Sequence, residues 1–219
     1  MVVRGLSHPH RNGRTGRVLG LAGMAPDPDA ALMLAFQQGD ESAFRALYER
    51  HARAMVAFCH HFVRDAARAE ELAQDVFVKV YGSADRYRPT ARFKTFLYRV
   101  ASNHCMNELR RPERAARAGA GDDLPDGELD ALPSPEPGPE EAARGAALER
   151  AVRDLLARLP EKQRAALVLC RFEGLSYEEI AEVLDTSVPA VKSLIHRATV
   201  SAAVALAAFS PAGAKEAVS

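Results

Sequence analysis

The chain has 219 residues, 47% of them apolar, no Trp, and a formal net charge of zero. No apolar run reaches the length of a membrane span and no cleavable leader pattern opens the chain, which excludes a membrane-spanning or exported protein and predicts a cytoplasmic one of one or two domains. Cys59, Cys105 and Cys170 are far apart in sequence without paired spacing and read as free thiols in a reducing compartment.

The zero net charge hides an uneven distribution. Residues 31–111 carry 13 Lys/Arg against 9 Asp/Glu, residues 112–147 carry 3 against 9, and residues 148–219 balance at 9 against 9. So little basic surface does not hold DNA strongly by counterion release alone, and points to a partner that helps.

Residues 1–30 mix Gly, Pro, His and scattered Arg without an apolar period and read as a disordered extension, within which Met24 is an alternative start. From Ala31 to Arg111 the pattern is helical. Asp40 is placed to cap a helix whose buried stripe is Phe44, Leu47, Tyr48, Met55, Phe58 and Phe62. In AEELAQDVFVKVY, Ala69 to Tyr81, the residues Glu71, Gln74, Asp75 and Val78 share one helical face, and Leu72, Val76 and Val80 share another. On its own, that acidic face reads as a solvated surface.

Between Arg86 and Arg111, cationic Arg86, Arg88, Arg92, Lys94, Arg99, Arg110 and Arg111 interleave with Tyr87, Phe93, Phe96 and Tyr98. Cations that follow a backbone, beside aromatic faces that accept unstacked bases, suit single-stranded nucleic acid, with stacking worth roughly 1–3 kcal/mol per base. Phe93, Leu97, Val100 and His104 recur at helical spacing, which assigns Phe93 to the core and leaves Phe96, Tyr87 and Tyr98 as stacking candidates. Residues 112–145 combine Pro, Gly and acidic residues and read as a flexible linker. A second helical block follows over residues 146–210, with a disordered tail over 211–219.

Within that block, LSYEEIAEVLDTSVPAVKSLIHRA, Leu175 to Ala198, reads as two short helices joined by a three-residue turn. Ser176 and Glu179 form a capping box, with Leu175 and Ile180 closing over it as a hydrophobic staple. Ser187 caps the second helix and Pro189 fits its first turn. Ile180, Ala181, Leu184, Val191 and Ile195 point inward, which leaves Lys192, Ser193, His196 and Arg197 for a major groove. This is a helix-turn-helix, and a plain antiparallel helix pair explains fewer of these features.

Taken in order, GDESAFRALYERH, AEELAQDVFVKVY, RFKTFLYRVASNHCMNELRR, the acidic linker and LPEKQRAALVLCRFEGLSYEEIAEVLDTSVPAVKSLIHRA resemble the sigma-70 family of bacterial transcription initiation factors, and within it the extracytoplasmic-function group. The resemblance implies an all-α fold of two small helical domains, sigma region 2 at residues 31–111 and sigma region 4 at 146–210, joined by the linker. It implies no enzymatic activity, no cofactor and no metal. It implies core RNA polymerase and promoter DNA as partners, an anti-sigma factor as inhibitor, and a monomer when free. Glu71, Gln74, Asp75, Phe77 and Val78 would dock on core polymerase. Arg88, Arg92, Lys94, Phe96, Arg99, Asn103, Asn107 and Arg110 would capture the melted minus-10 element. Ser187, Lys192, Ser193, His196 and Arg197 would read the minus-35 element.

Three positions depart from the pattern: Phe96 stands where the group often has Trp, Leu194 where Arg is common, and Asp185 at the usual turn Gly. A linker of about 34 residues has a relaxed span near 30–35 Å. Promoter elements about 16 to 18 base pairs apart are separated by roughly 55–60 Å at 3.4 Å per step, so polymerase would hold the linker extended.

Two other classes compete. A dimeric helix-turn-helix regulator would bind a palindrome and dimerise through the Ala/Val-rich stretch from Thr199 to Phe209, but leaves the basic-aromatic block without a task. A metal site built from Cys59, His60, His61, His104 and Cys105 is disfavoured because neighbouring helical residues face about 100° apart.

Overall fold

The structure, a computed structural model, describes residues 27–110 and 138–209; the sequence expectations for 1–26, 111–137 and 210–219 lie outside the described residues. All regular elements among the described residues are helical. The first unit comprises α1 (Pro28–Gln37), α2 (Glu41–His60), α3 (Ala66–Gly82), a 3-10 turn (Ala84–Arg86) and α4 (Phe93–Leu109).

The first three helices each start at a local acceptor. Asp27 accepts from the Asp29 N–H, so α1 begins before the boundary expected at Ala31. The Asp40 carboxylate accepts from the N–H groups of Ser42 and Ala43, and Asp65 from that of Arg68. Gly39, at φ 99°, makes the left-handed turn between α1 and α2. Leu47, Met55, Phe58, Leu72, Val76, Val80, Phe93 and Leu97 fill the core.

Tyr48 departs from the predicted stripe. It lies 42% exposed at the edge, its ring 4.8 Å from that of Phe77, because α2 turns it past the face covered by α3. Phe44 is half-buried in an aromatic group with Phe36 and Tyr81. Between α3 and α4, buried Glu108 accepts from Arg68 at 2.8 Å, which compensates a charge that is costly to desolvate alone.

The second unit comprises α5 (Pro139–Arg158), α6 (Glu161–Arg171), α7 (Tyr177–Val183) and α8 (Val188–Ala205). Its first helix already begins at Pro139, inside the stretch that composition assigns to the linker; a proline in the first turn gives up no hydrogen bond. Leu156, Leu169, Ile180, Val191 and Ile195 form its core.

The two units pack together. Arg164, almost fully buried, donates to the carbonyls of Phe62 at 3.0 Å and Ala157 at 2.8 Å, so its charge is met by backbone dipoles from both units. Arg64 pairs with Asp154, Arg110 with Glu161 at 2.8 Å, and the His61 ring lies 4.2 Å from Phe172.

Candidate nucleic-acid interface

On α4, the side chains of Arg92, Arg99, Asn103, Asn107 and Arg110 are all exposed and recur at helical spacing as one strip, with half-buried Phe96 among them. Arg88 precedes the strip and is pinned by its guanidinium to the carbonyls of Tyr87 at 2.8 Å and Asp85 at 3.2 Å. The Arg99 guanidinium lies 5.9 Å from the Phe96 ring centroid, which keeps a cation beside the half-buried aromatic ring of the strip. A cleft of about 470 Å³ opens here, lined by Arg86, Arg88, Phe96 and Arg99 and, from the second unit, Glu182 and Asp185.

Two of the three stacking candidates are withdrawn. Tyr87 is buried against Phe93 and Phe96, and burial, with Asp27 and Asp29 nearby, pushes its phenol up to about 12. Tyr98 is buried against Phe58, and its hydroxyl donates to Glu173; burial and that bond push its phenol far above its ordinary value. Burial in turn raises Glu173 above the usual carboxylate range, opposed by the Tyr98 hydrogen bond and Lys94. Sequence spacing does not reveal this, because the side chains that cover Tyr98 come from α2 and from the second unit. Lys94 is exposed, but its ammonium donates to the Glu173 carbonyl at 2.8 Å, and Arg110 is held by Glu161. These two cations of the strip are engaged by the second unit in this arrangement.

The acidic face of α3 forms as expected, with Glu71, Gln74, Asp75 and Val78 exposed, Val78 at 70%. Phe77 is a correction. Only 4% exposed, it packs inward against Tyr48 and supports the face from beneath. Exposed Tyr48 and Tyr81, which the sequence pattern placed in the core or left unassigned, add aromatic surface to this unit; their residue types gave no sign of it. Asp75 is tethered to His104 of α4 at 3.2 Å, and burial, against the pull of Asp75, lowers the His104 pKa.

In the second unit the capping box is complete: the Ser176 hydroxyl accepts from Glu179 N–H at 3.2 Å and the Glu179 carboxylate from Ser176 N–H at 2.9 Å. Asp185 takes the left-handed conformation at φ 47°, as a turn residue replacing Gly must. Ser187 caps α8 through Ala190 N–H at 3.4 Å. Lys192, His196 and Arg197 are exposed and Ser193 half-buried, while Val191 and Ile195 point inward. Arg197 donates to the Ser193 hydroxyl at 2.8 Å, so the two act as one polar group.

Cys59 and Cys105, remote in sequence, meet with sulfurs 3.7 Å apart in the core of the first unit, as free thiols; the bond to Cys59 and burial push the Cys105 thiol well up. Among the described residues no group of three His, Cys, Asp or Glu side chains is arranged to hold a metal ion, and no helix is long and apolar enough to cross a membrane.

A helical unit that carries a basic, aromatic strip, packed with a helix-turn-helix unit, has the architecture of a DNA-binding protein. Comparison with known proteins makes this specific. The sigma-70 region 2 family matches residues 47–115 and the sigma-70 region 4 family residues 149–199. The RNA polymerase sigma-H factor of Pseudomonas aeruginosa is 35% identical over 80% of this chain and 92% of its own length. The ECF RNA polymerase sigma-E factor of Haemophilus influenzae is 35% identical over 78% and 90%. The solved structure of CnrH in complex with the cytosolic domain of CnrY is similar at a TM-score of 0.62, with 27% identity over 84% of this chain and all of that one. The chain belongs to the sigma-70 family, in its extracytoplasmic-function group, and its relatives favour a transcription initiation factor over a dimeric regulator.

Proposed function

We propose that the chain acts in the cytoplasm as a promoter-specificity subunit whose α3 face docks on core RNA polymerase through Glu71, Gln74, Asp75 and Val78. The observation that carries this reading is that Glu71, Gln74, Asp75 and Val78 stand exposed together on one face of α3, a helix whose other face is core and which lies within the segment matched by the region 2 family. The α4 strip, Arg88, Arg92, Lys94, Phe96, Arg99, Asn103, Asn107 and Arg110, captures the melted minus-10 element. Bases extruded there offset an unstacking cost of a few kcal/mol each. Ser187, Lys192, Ser193, His196 and Arg197 read the minus-35 duplex from α8. No step makes or breaks a covalent bond.

Promoter elements roughly 55–60 Å apart at 3.4 Å per step cannot both be read while Lys94 and Arg110 are held by the second unit, so the units part on polymerase. CnrH, a similar protein, was solved in complex with the cytosolic domain of CnrY, and a protein that binds this chain in the same way, as the expected anti-sigma factor would, is a fitting further partner.

The test is competition of the purified chain with a labelled housekeeping sigma factor for core polymerase. Val78→Asp places a charge on an open face without disturbing the core, and is expected to weaken competition at least tenfold with an unchanged melting curve. Undiminished competition by the variant would remove α3 as the docking face.

A further inference from the structure

The loop that leads into the minus-10 strip is held from both ends by α1, a helix that lies outside the stretch matched by the region 2 family. The start of α4 lacks a side-chain cap of its own, because Arg92 occupies the cap position and offers no acceptor. The acceptor comes from 66 residues away: one oxygen of Asp27 accepts from Phe93 N–H at 2.7 Å while the other accepts from Asp29 N–H at 3.0 Å. One carboxylate thus serves two helix N-termini, and its negative charge offsets the positive ends of both dipoles where they converge.

At the other end of α1, the Gln37 amide donates to the Ala84 carbonyl and, at 3.0 Å, to that of Tyr87. These carbonyls belong to the first residue of the 3-10 turn and to the residue that follows it, in the segment that delivers Arg86 and Arg88. The helix itself is anchored on α2, where Asp29 pairs with Arg50 and, at 2.9 Å, with His51. The route from the α2 scaffold to the strip therefore runs through Asp29, α1, Asp27 and Gln37.

We propose that α1 is a splint for strand capture, with Asp27 and Gln37 as positioning residues that set where Arg88, Arg92 and Phe96 stand without touching DNA. Capture needs cations and a stacking ring fixed to within a fraction of an ångström, and a loop tied only at its ends takes its geometry from what ties it. The proposal rests on the α4 strip being the minus-10 reader, as argued above.

The experiment uses full-length chain reconstituted with core polymerase. Promoter fragments are first selected by the wild-type holoenzyme from a random duplex pool, then made as duplexes and as forks whose minus-10 element is already unpaired. For Asp27→Ala and Gln37→Ala, competition for core polymerase and thermal midpoints are measured beside fork affinity and permanganate-reactive opening of the duplex. Fork affinity and opening are expected to fall about tenfold, core competition to stay within twofold, and Asp27→Asn, which keeps one acceptor oxygen, to lie between. Hydrogen exchange is expected to rise over residues 84–93 and to stay unchanged in α7 and α8.

Fork affinity unchanged in both alanine variants, with core competition intact, would overturn the splint alone. Loss of core competition in step with fork affinity would also overturn it, by reducing α1 to general support of the fold. Failure of the wild-type chain to compete for core polymerase would instead overturn the functional reading and the splint with it.

Discussion

The two proposed DNA-reading surfaces are built in opposite ways. The helix-turn-helix is closed by bonds between near neighbours: Ser176 with Glu179, Ser187 with Ala190, and the left-handed Asp185 between them. The α4 strip is fixed by contacts across 40 to 66 residues, from Arg68 to Glu108, Gln37 to Tyr87 and Asp27 to Phe93. A locally closed motif carries its geometry in its own sequence, whereas a strip assembled from distant parts depends on the whole unit remaining folded.

That difference is sharpest under a large perturbation. Phe58, fully buried where α2 meets α4, touches Tyr98 beneath the strip. Phe58→Ala is expected to cost about 3–5 kcal/mol in urea unfolding, with amide exchange rising through α2 to α4 far more than in α7 and α8. Equal loss of protection in both units would mean that they unfold as one and that the contrast is only in the bonding.

Acid probes the contact between the units. His61, against Phe172, has its pKa lowered to about 4, first by burial and then by neighbouring His60. A lowered histidine pKa means that the unfolded chain binds the proton first, so stability is full above about pH 6.5 and falls as the pH drops toward 4. The ring keeps some contact with water, so the loss is expected to be about 1–2 kcal/mol rather than the full linkage value. The urea midpoint of His61→Phe should vary less over that range than that of wild type. His104, lowered by burial in the same direction, leaves a residual slope in both proteins.

Smaller effects test the local motif. Ser176→Ala removes the capping acceptor and is expected to cost about 1 kcal/mol, read as faster exchange confined to α7 with the α4 strip undisturbed. Exchange that rises equally in α4 would show the second unit to be as dependent on distant contacts as the first. Asp185→Gly relieves the left-handed residue and is expected to stabilise by roughly 0.5 kcal/mol, seen as a small upward shift in thermal midpoint.

Much of this was legible from residue order alone. The caps at Asp40 and Ser176, the turn at Asp185, the inward and outward faces of α3 and α8, and the division into two helical units follow from periodicity and short-range hydrogen bonding, which neighbouring residues determine between themselves. Tertiary structure decided the rest. It buried Tyr87 and Tyr98 and left Phe96 half-buried, turned Phe77 inward and Tyr48 outward, brought Cys59 to Cys105, and gave α4 its cap from Asp27. An aromatic residue in a basic helix satisfies both a core and a stacking role, and only the elements packed over it determine which face water or a base can reach.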